Sequence, residues 1–396
     1  MTTTSQVLPG SLSLRLLVLP TVFALTVCGA ATASAATRSH DAGRLRHDIE
    51  AITALGVTGV QARVSRGGRD VVATGGVGDV VTGRPVPPDG RFRIGSATKT
   101  FTATVVLQLA GEGRLSLDDT VERRLPGVVR GNGNDGRKIT LRHLLQHTSG
   151  IHDDWPGWET PADFYRHRFD VNPPQQLVTR AMRHRPDFAP GTGWNYSNTG
   201  YILLGMVIER VTGRPWDAEV DRRIVRPLGL RHTGFPGLSP DLPRPHAHGY
   251  ARYAGGELVD VTRNREGYTA ASGGGIVSTT GDLARFFRAL FEGELLRPAQ
   301  LAQMKRTVPV SDEYQKIWPG ARYGLGLFSR PLSCGGRYWG HSGDITGYMT
   351  RNGFTDDGRR GVVLSLSTEL QDSMDSLLRQ DAAASTLVDH ALCATR

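Results

Sequence analysis

Ser96 and Lys99 stand three residues apart, where a short apolar strand gives way to a helix-forming run. On the first turn of a helix that spacing puts both side chains on one face, so an amine can reach a hydroxyl. A serine hydroxyl is a weak nucleophile until a nearby base takes its proton. The lysine is itself informative: the chain holds 47 Lys and Arg, of which only Lys99, Lys138, Lys305 and Lys316 are lysine. A buried amine can lose its proton, whereas a guanidinium effectively cannot. Lowering a lysine pKa from ~10.4 to ~7 costs roughly 4–5 kcal/mol, within what burial imposes. The Ser96 N–H would also sit at the positive end of the helix, where it can hold an oxyanion. By itself the motif equally fits an ordinary helix start, capped by Ser96 and carrying a surface lysine.

Two further stretches offer partners. Asn195-Tyr196-Ser197-Asn198 follows the turn Pro190-Gly191-Thr192-Gly193 and precedes an apolar helix. A phenol at Tyr196 near a cationic lysine can exchange protons with the serine, and the Asn198 amide can orient both the lysine and a substrate carbonyl. His341-Ser342-Gly343 closes a strand and is followed by Asp344. Such a strand can pair with an extended substrate, and the Asp344 N–H would join that of Ser96 around an oxyanion. Neither stretch is decisive alone.

The surrounding pattern predicts elements that can bring these residues together. Asp41 to Leu55 reads as an amphipathic helix, Val57 to Ala73 as a hairpin about Arg66-Gly67-Gly68-Arg69, and Arg91 to Ile94 as a short strand ending at Gly95. Thr98 to Glu112 is almost wholly apolar and belongs in the core. From about 115 to 268 the pattern breaks into short helical pieces and aromatic-rich loops, with one buried helix from Gly200 to Val211. Strand patterns return at Arg337–His341, Tyr348–Phe354 and Gly361–Ser367, before a final helix from about Glu369 to Leu392. Strands at both ends with helices between them predict an α+β fold: an antiparallel sheet flanked by N- and C-terminal helices, with an inserted, mostly helical lobe. The expected division is one domain over 36–396, its α/β lobe drawn from about 41–114 and 269–396 and its helical lobe from about 115–268.

The ends suggest export. Arg15 is the only charge in the first 35 residues, Leu16 to Val27 is apolar, and Ala33-Ser34-Ala35 suits a signal peptidase. The run is short for a membrane span and is broken by Pro20. Lipoprotein processing at Cys28 would need a small residue where Val27 stands. The expectation is a secreted protein without stable membrane insertion. Removing Cys28 leaves Cys334 and Cys393, which can bridge in an oxidising compartment or stay as free thiols. The net charge of +9 is scattered, with no aromatic-interleaved basic stripe, so nucleic acid is not an expected partner. His246 and His248 lack a companion carboxylate at ligand spacing, and no metal or other cofactor is expected.

Taken together, in order and spacing, these motifs resemble the serine β-lactamase and penicillin-binding protein superfamily. The resembling group contains class C β-lactamases and secreted actinomycete D-alanyl-D-alanine carboxypeptidases. The likeness extends to Phe92-Arg93-Ile94-Gly95, Leu144-Leu145-Gln146-His147-Thr148-Ser149-Gly150-Ile151, Pro227-Leu228-Gly229-Leu230, Gly273-Gly274-Gly275-Ile276-Val277-Ser278-Thr279 and Tyr323-Gly324-Leu325-Gly326-Leu327. It implies that Ser96 is acylated, that Lys99 and Tyr196 share proton transfer, and that Asn198 and His341 to Gly343 bind substrate. It further implies a Cys334–Cys393 disulfide, small peptide or ester substrates, and β-lactams as acylating ligands. Two positions depart from the carboxypeptidase pattern. Phe328 stands where an arginine would hold the substrate's terminal carboxylate; Arg330, about 7 Å along the strand, is the possible substitute. Asp344 replaces a small hydroxyl residue, and its charge repels a carboxylate. The resemblance therefore implies a D-alanyl-D-alanine carboxypeptidase-like enzyme, with an esterase or D-amino-acid amidase or aminopeptidase next. A β-lactamase and a non-turnover penicillin or muropeptide sensor follow.

Overall fold

The computed structural model describes residues 42–394; the expected export signal over 1–35 lies outside them. The frame is a nine-stranded antiparallel sheet drawn from both ends of the chain. Its strands are β1 (Gly59–Arg66), β2 (Arg69–Gly76), β3 (Val308–Pro309), β4 (Arg322–Tyr323), β5 (Phe328–Pro331), β6 (Arg337–Gly340), β7 (Gly343–Ile345), β8 (Tyr348–Phe354) and β9 (Arg360–Leu366). They lie in the order β2-β1-β9-β8-β6-β5-β4-β3, with β7 paired to β8. The β1–β9 register, Val60 opposite Leu366 through Arg66 opposite Arg360, joins the two ends of the chain.

Alternation along β9 explains how the sheet is covered on both faces. Val362, Leu364 and Leu366 pack with Leu45, Ile49 and Ile52 of α1 (42–53) and with Leu387 and Val388 of α6 (Met374–Cys393). Val363 points the other way, into the larger core around α2 (Thr98–Gly111) and α5 (Thr280–Phe291). There Phe101 stacks on Phe286 with ring centroids 3.6 Å apart. Between β2 and α5 the chain forms short helices and the long buried helix α3 (Asn198–Thr212), which ends at Gly213 with φ 71°. The helix α4 (Glu266–Gly274) packs against both α2 and α3.

The central helix α2 buries polar groups as well as apolar ones, and these are satisfied. Thr100 donates to the Gly326 carbonyl at 2.8 Å and Thr102 to that of Ser272 at 2.7 Å. The last helix begins later than the sequence pattern suggests. Thr368–Leu370 is instead a short strand, parallel to Tyr250–Arg252, because the Gln380 side chain bonds the Thr368 carbonyl and the Leu370 amide and holds that segment extended.

Cys334 and Cys393 are bridged, with Cα atoms 5.7 Å apart. The bond ties the end of α6 to the turn between β5 and β6. Closing a loop of 59 residues stabilises a chain by roughly 4 kcal/mol in the entropy model. Replacing both cysteines with serine is expected to cost up to about that much, read as a lower denaturant midpoint, while catalytic rates hold.

Candidate active site

Two backbones press together to form the site. Gly95, with φ 51°, ends the approach to the first turn of α2. A Cβ on Gly95 would lie 2.9 Å from the Asp344 nitrogen, and one on Gly343 would lie 2.0 Å from the Ile94 oxygen. Only glycine permits this contact, which brings the Asp344 amide beside Ser96.

Lys99 is wholly buried, not on the surface. Its Nζ lies 3.1 Å from Ser96 Oγ, 2.7 Å from Asn198 Oδ1 and 2.8 Å from the Gly273 carbonyl. A neutral amine has two hydrogens and one lone pair. Asn198 and Gly273 are pure acceptors at this point and use both hydrogens, leaving the lone pair facing the serine hydroxyl. Once protonated, the amine has three hydrogens and three acceptors. Both protonation states are therefore accommodated without movement. Burial pushes the Lys99 pKa down to about 7, against the opposing pull of Asp153.

Three features to which the motifs assign no role hold this arrangement. The first is a kink in α4, where Ala271 adopts φ 36° and ψ −123°. Such a backbone costs on the order of 1–3 kcal/mol in a non-glycine residue, and the break lies two residues before the carbonyl that Lys99 uses. The second is Asp153, which accepts from Asn198 Nδ2 at 2.9 Å and from the Thr199 amide and hydroxyl at 2.8 Å each. It thereby fixes which end of the Asn198 amide faces Lys99. Asp153→Asn should lower kcat about 10- to 30-fold by freeing that amide. Removing the carboxylate also takes away the charge that raises the Lys99 pKa, so the acidic limb of the rate profile should move to lower pH.

The third is His147, in left-handed conformation (φ 62°, ψ 30°) at the end of the helix Leu141–Gln146. Its carbonyl accepts the Asn195 N–H at 3.1 Å and its Nδ1 accepts the Ser197 N–H at 3.1 Å, bracketing Tyr196. The His147 and Tyr196 rings lie 4.3 Å apart. Burial drives the His147 pKa well below the usual histidine value, which keeps Nδ1 an acceptor. The Tyr196 ring stands 4.8 Å from Lys99 Nζ, and its hydroxyl bonds Ser96. Burial holds the Tyr196 phenol well above its ordinary pKa.

On the opposite wall, His341 exchanges two backbone bonds with the Asn352 side chain on β8, at 3.0 and 2.7 Å. Its Nε2 meets the Tyr323 hydroxyl at 2.8 Å, and burial lowers its pKa to about 3. Ser342 follows, its carbonyl 2.6 Å from His341 Nδ1. Phe328 is 4% exposed and enclosed by Trp318, Tyr323 and His341. Arg330 lies over the Trp318 and Tyr338 rings and reaches Ser385 at 3.3 Å. Both residues, with His341 and Ser342, surround a cavity of about 20 Å3, room for a single water. Asp344 pairs with Arg351 at 2.7 Å, and Arg351 is held from its other edge by Asp381 at 2.7 Å. His248 and His246 have separate partners, Asp260 at 2.7 Å and the Pro243 carbonyl at 3.1 Å.

A serine and a buried amine whose pKa is lowered to about 7 converge within bonding reach, beside a phenol and two backbone amides, at the edge of an antiparallel sheet. That is the constellation of a serine acyl-transfer hydrolase. Residues 45–386 match the family described as Beta-lactamase, and the chain belongs to it. It is 31% identical over 286 residues to "Penicillin-binding protein 4*" of Bacillus subtilis (strain 168), a match covering 69% of this chain and 60% of that protein. It is 31% identical over 292 residues to "Esterase EstB" of Burkholderia gladioli, covering 65% and 71%. The solved structure of a D-stereospecific amidohydrolase from Streptomyces sp. is 41% identical, covers 89% of this chain and 98% of its own, and superposes with a TM-score of 0.78.

Proposed function

We propose that the chain is an exported hydrolase that forms an acyl-enzyme on Ser96 and cleaves amides, esters or short peptides of D-amino acids. In this reading neutral Lys99 takes the Ser96 proton as Oγ bonds the carbonyl carbon. The amides of Ser96 and Asp344 hold the oxyanion, and Tyr196, which stays protonated, relays a proton to the leaving group as the scissile bond breaks. Water then attacks the ester, passing its proton back through the same groups. Penicillins are expected to acylate Ser96.

The observation that carries the substrate choice is the Asp344–Arg351–Asp381 group, in which the guanidinium beside Asp344 is already held by two carboxylates. A D-alanyl-D-alanine carboxypeptidase must welcome a terminal carboxylate there. Arg351 is already bound by two aspartates, and Arg330 is engaged at Ser385. A neutral amide or ester end, or one bearing an amine, needs no such guanidinium. The likeness to the Streptomyces amidohydrolase supports this choice. Export agrees with the Cys334–Cys393 bridge, and among the described residues no helix is long and apolar enough to cross a membrane.

Steady-state rates on a D-alanine p-nitroanilide, an acyl-D-Ala-D-Ala peptide and its C-terminal amide test the proposal. The anilide and the amide should exceed the free acid in kcat/KM by at least tenfold. Preference for the free acid would return the carboxypeptidase reading to first place. Mass spectrometry of the exported protein should find its N-terminus just after Ala35.

A further inference from the structure

A cavity of about 400 Å3 lies between two segments that also carry groups of the catalytic site. One wall carries Trp155 and Trp158, on the segment that follows Asp153. The other carries Glu266 and Thr269, on the first turns of α4, whose far end presents the Gly273 carbonyl to Lys99. Each wall thus belongs to a segment that also positions the lysine, through Asp153 on one side and the Gly273 carbonyl on the other. Asn172 joins them, donating to the Thr269 hydroxyl at 3.4 Å.

Most charges around the cavity are already matched. His167 pairs with Asp170 at 2.7 Å, and Arg180 with Asp154 at 2.7 Å. Glu266 is the exception. It forms no ion pair among the described residues; it accepts from the Thr346 amide at 3.1 Å and from the Thr346 side chain, and Arg93 acts on it only through space. Burial raises its pKa against the opposing Thr346 bonds and the pull of Arg93, so a cation brought against it would favour the charged form. Two indoles and a buried carboxylate without an ion-pair partner among the described residues attract a cation by complementary means, an aromatic ring through its quadrupole and the acid through its charge. A purely apolar substrate group would leave that carboxylate desolvated and unpaired.

We propose that this cavity receives the acyl-side group of the substrate and selects a positively charged one, the side chain of a basic D-amino acid, between Trp155 and Trp158 and against Glu266. The inference rests on the D-amino-acid hydrolase reading and deepens it.

The test compares D-lysine p-nitroanilide with D-norleucine p-nitroanilide, which keeps the carbon chain and lacks the amine. Wild-type enzyme should favour D-lysine at least tenfold in kcat/KM. In Glu266→Gln, whose amide oxygen still accepts from Thr346, that ratio should fall to about one. Covalent labelling of Ser96 by a penicillin verifies that the variant is folded. Equal wild-type rates on the two anilides, or a ratio unmoved by E266Q, overturns the inference while leaving the hydrolase reading intact. No turnover of either anilide overturns both.

Discussion

Lys99→Arg is expected to lower the rate of Ser96 acylation by at least a thousandfold, although it keeps a positive charge at the same place. A thousandfold corresponds to about 4 kcal/mol of barrier. The argument is proton bookkeeping. Guanidinium stays protonated in any accessible pH range, so no lone pair faces Ser96 Oγ. The larger planar head also cannot fit the compact set of Asn198 Oδ1, the Gly273 carbonyl and Ser96 Oγ, which lie within 3.1 Å of one nitrogen. Stopped-flow acylation by a chromogenic lactam or ester measures the loss. A K99R enzyme within tenfold of wild type would move the base to another group, and Tyr196 is the nearest.

The pH profile separates the same two bases. With the Lys99 pKa near 7, kcat/KM should climb about tenfold per pH unit below 7 and flatten above it. The Tyr196 pKa is held well above the ordinary phenol value, so the plateau should extend past pH 9. A tyrosinate base would instead give a rate still rising there. The linked stability effect has a definite sign. The folded pKa is depressed from 10.5, so between about 7 and 10.5 the unfolded chain binds the extra proton and stability rises with pH. At pH 7 and below the full cost applies, on the order of 4–5 kcal/mol. Wild type should therefore gain stability relative to K99M as pH rises through that window.

Much of this site was legible because catalytic chemistry restricts residue types. Ser96 and Lys99 share one helical turn, and a lysine in an arginine-rich chain marks a group that must deprotonate. The sheet was legible for a different reason. β9 carries a short apolar run buried on both faces, and β1 and β2 meet at a tight Gly67-Gly68 turn, signals that strand and hairpin reading detects. What escaped depends on contacts between distant segments. Asp153 is an ordinary aspartate in sequence; only folding sets its carboxylate against Asn198 and Thr199. Ala271 gives no signal of a kink, since alanine is a strong helix former. Glu369 and Leu370 read as the start of the last helix because the Gln380 clamp that holds the segment extended lies ten residues beyond Leu370 and twelve beyond Thr368. Arg351 likewise sat in a mixed strand with no hint of its two aspartates.

His147 supplies the other large expected effect. His147→Ala should reduce acylation about a hundredfold, with His147→Asn recovering most of that loss. Tyr196 lies between two residues tied to His147, one through its carbonyl and one through Nδ1. Alanine removes the side-chain acceptor and strains the left-handed backbone, leaving the Ser197 N–H without a partner. Asparagine places an amide oxygen where Nδ1 was and tolerates positive φ better than most residues. It lacks only the ring that faces Tyr196. A role confined to packing would predict the reverse order, because Asn is polar in an aromatic cluster of Tyr196, Tyr201, Tyr323 and Trp194. Acylation rates of the two variants, with thermal midpoints measured beside them, decide between hydrogen bonding and packing. If H147N is as slow as H147A while equally stable to wild type, the clamp on Tyr196 is not what the histidine provides.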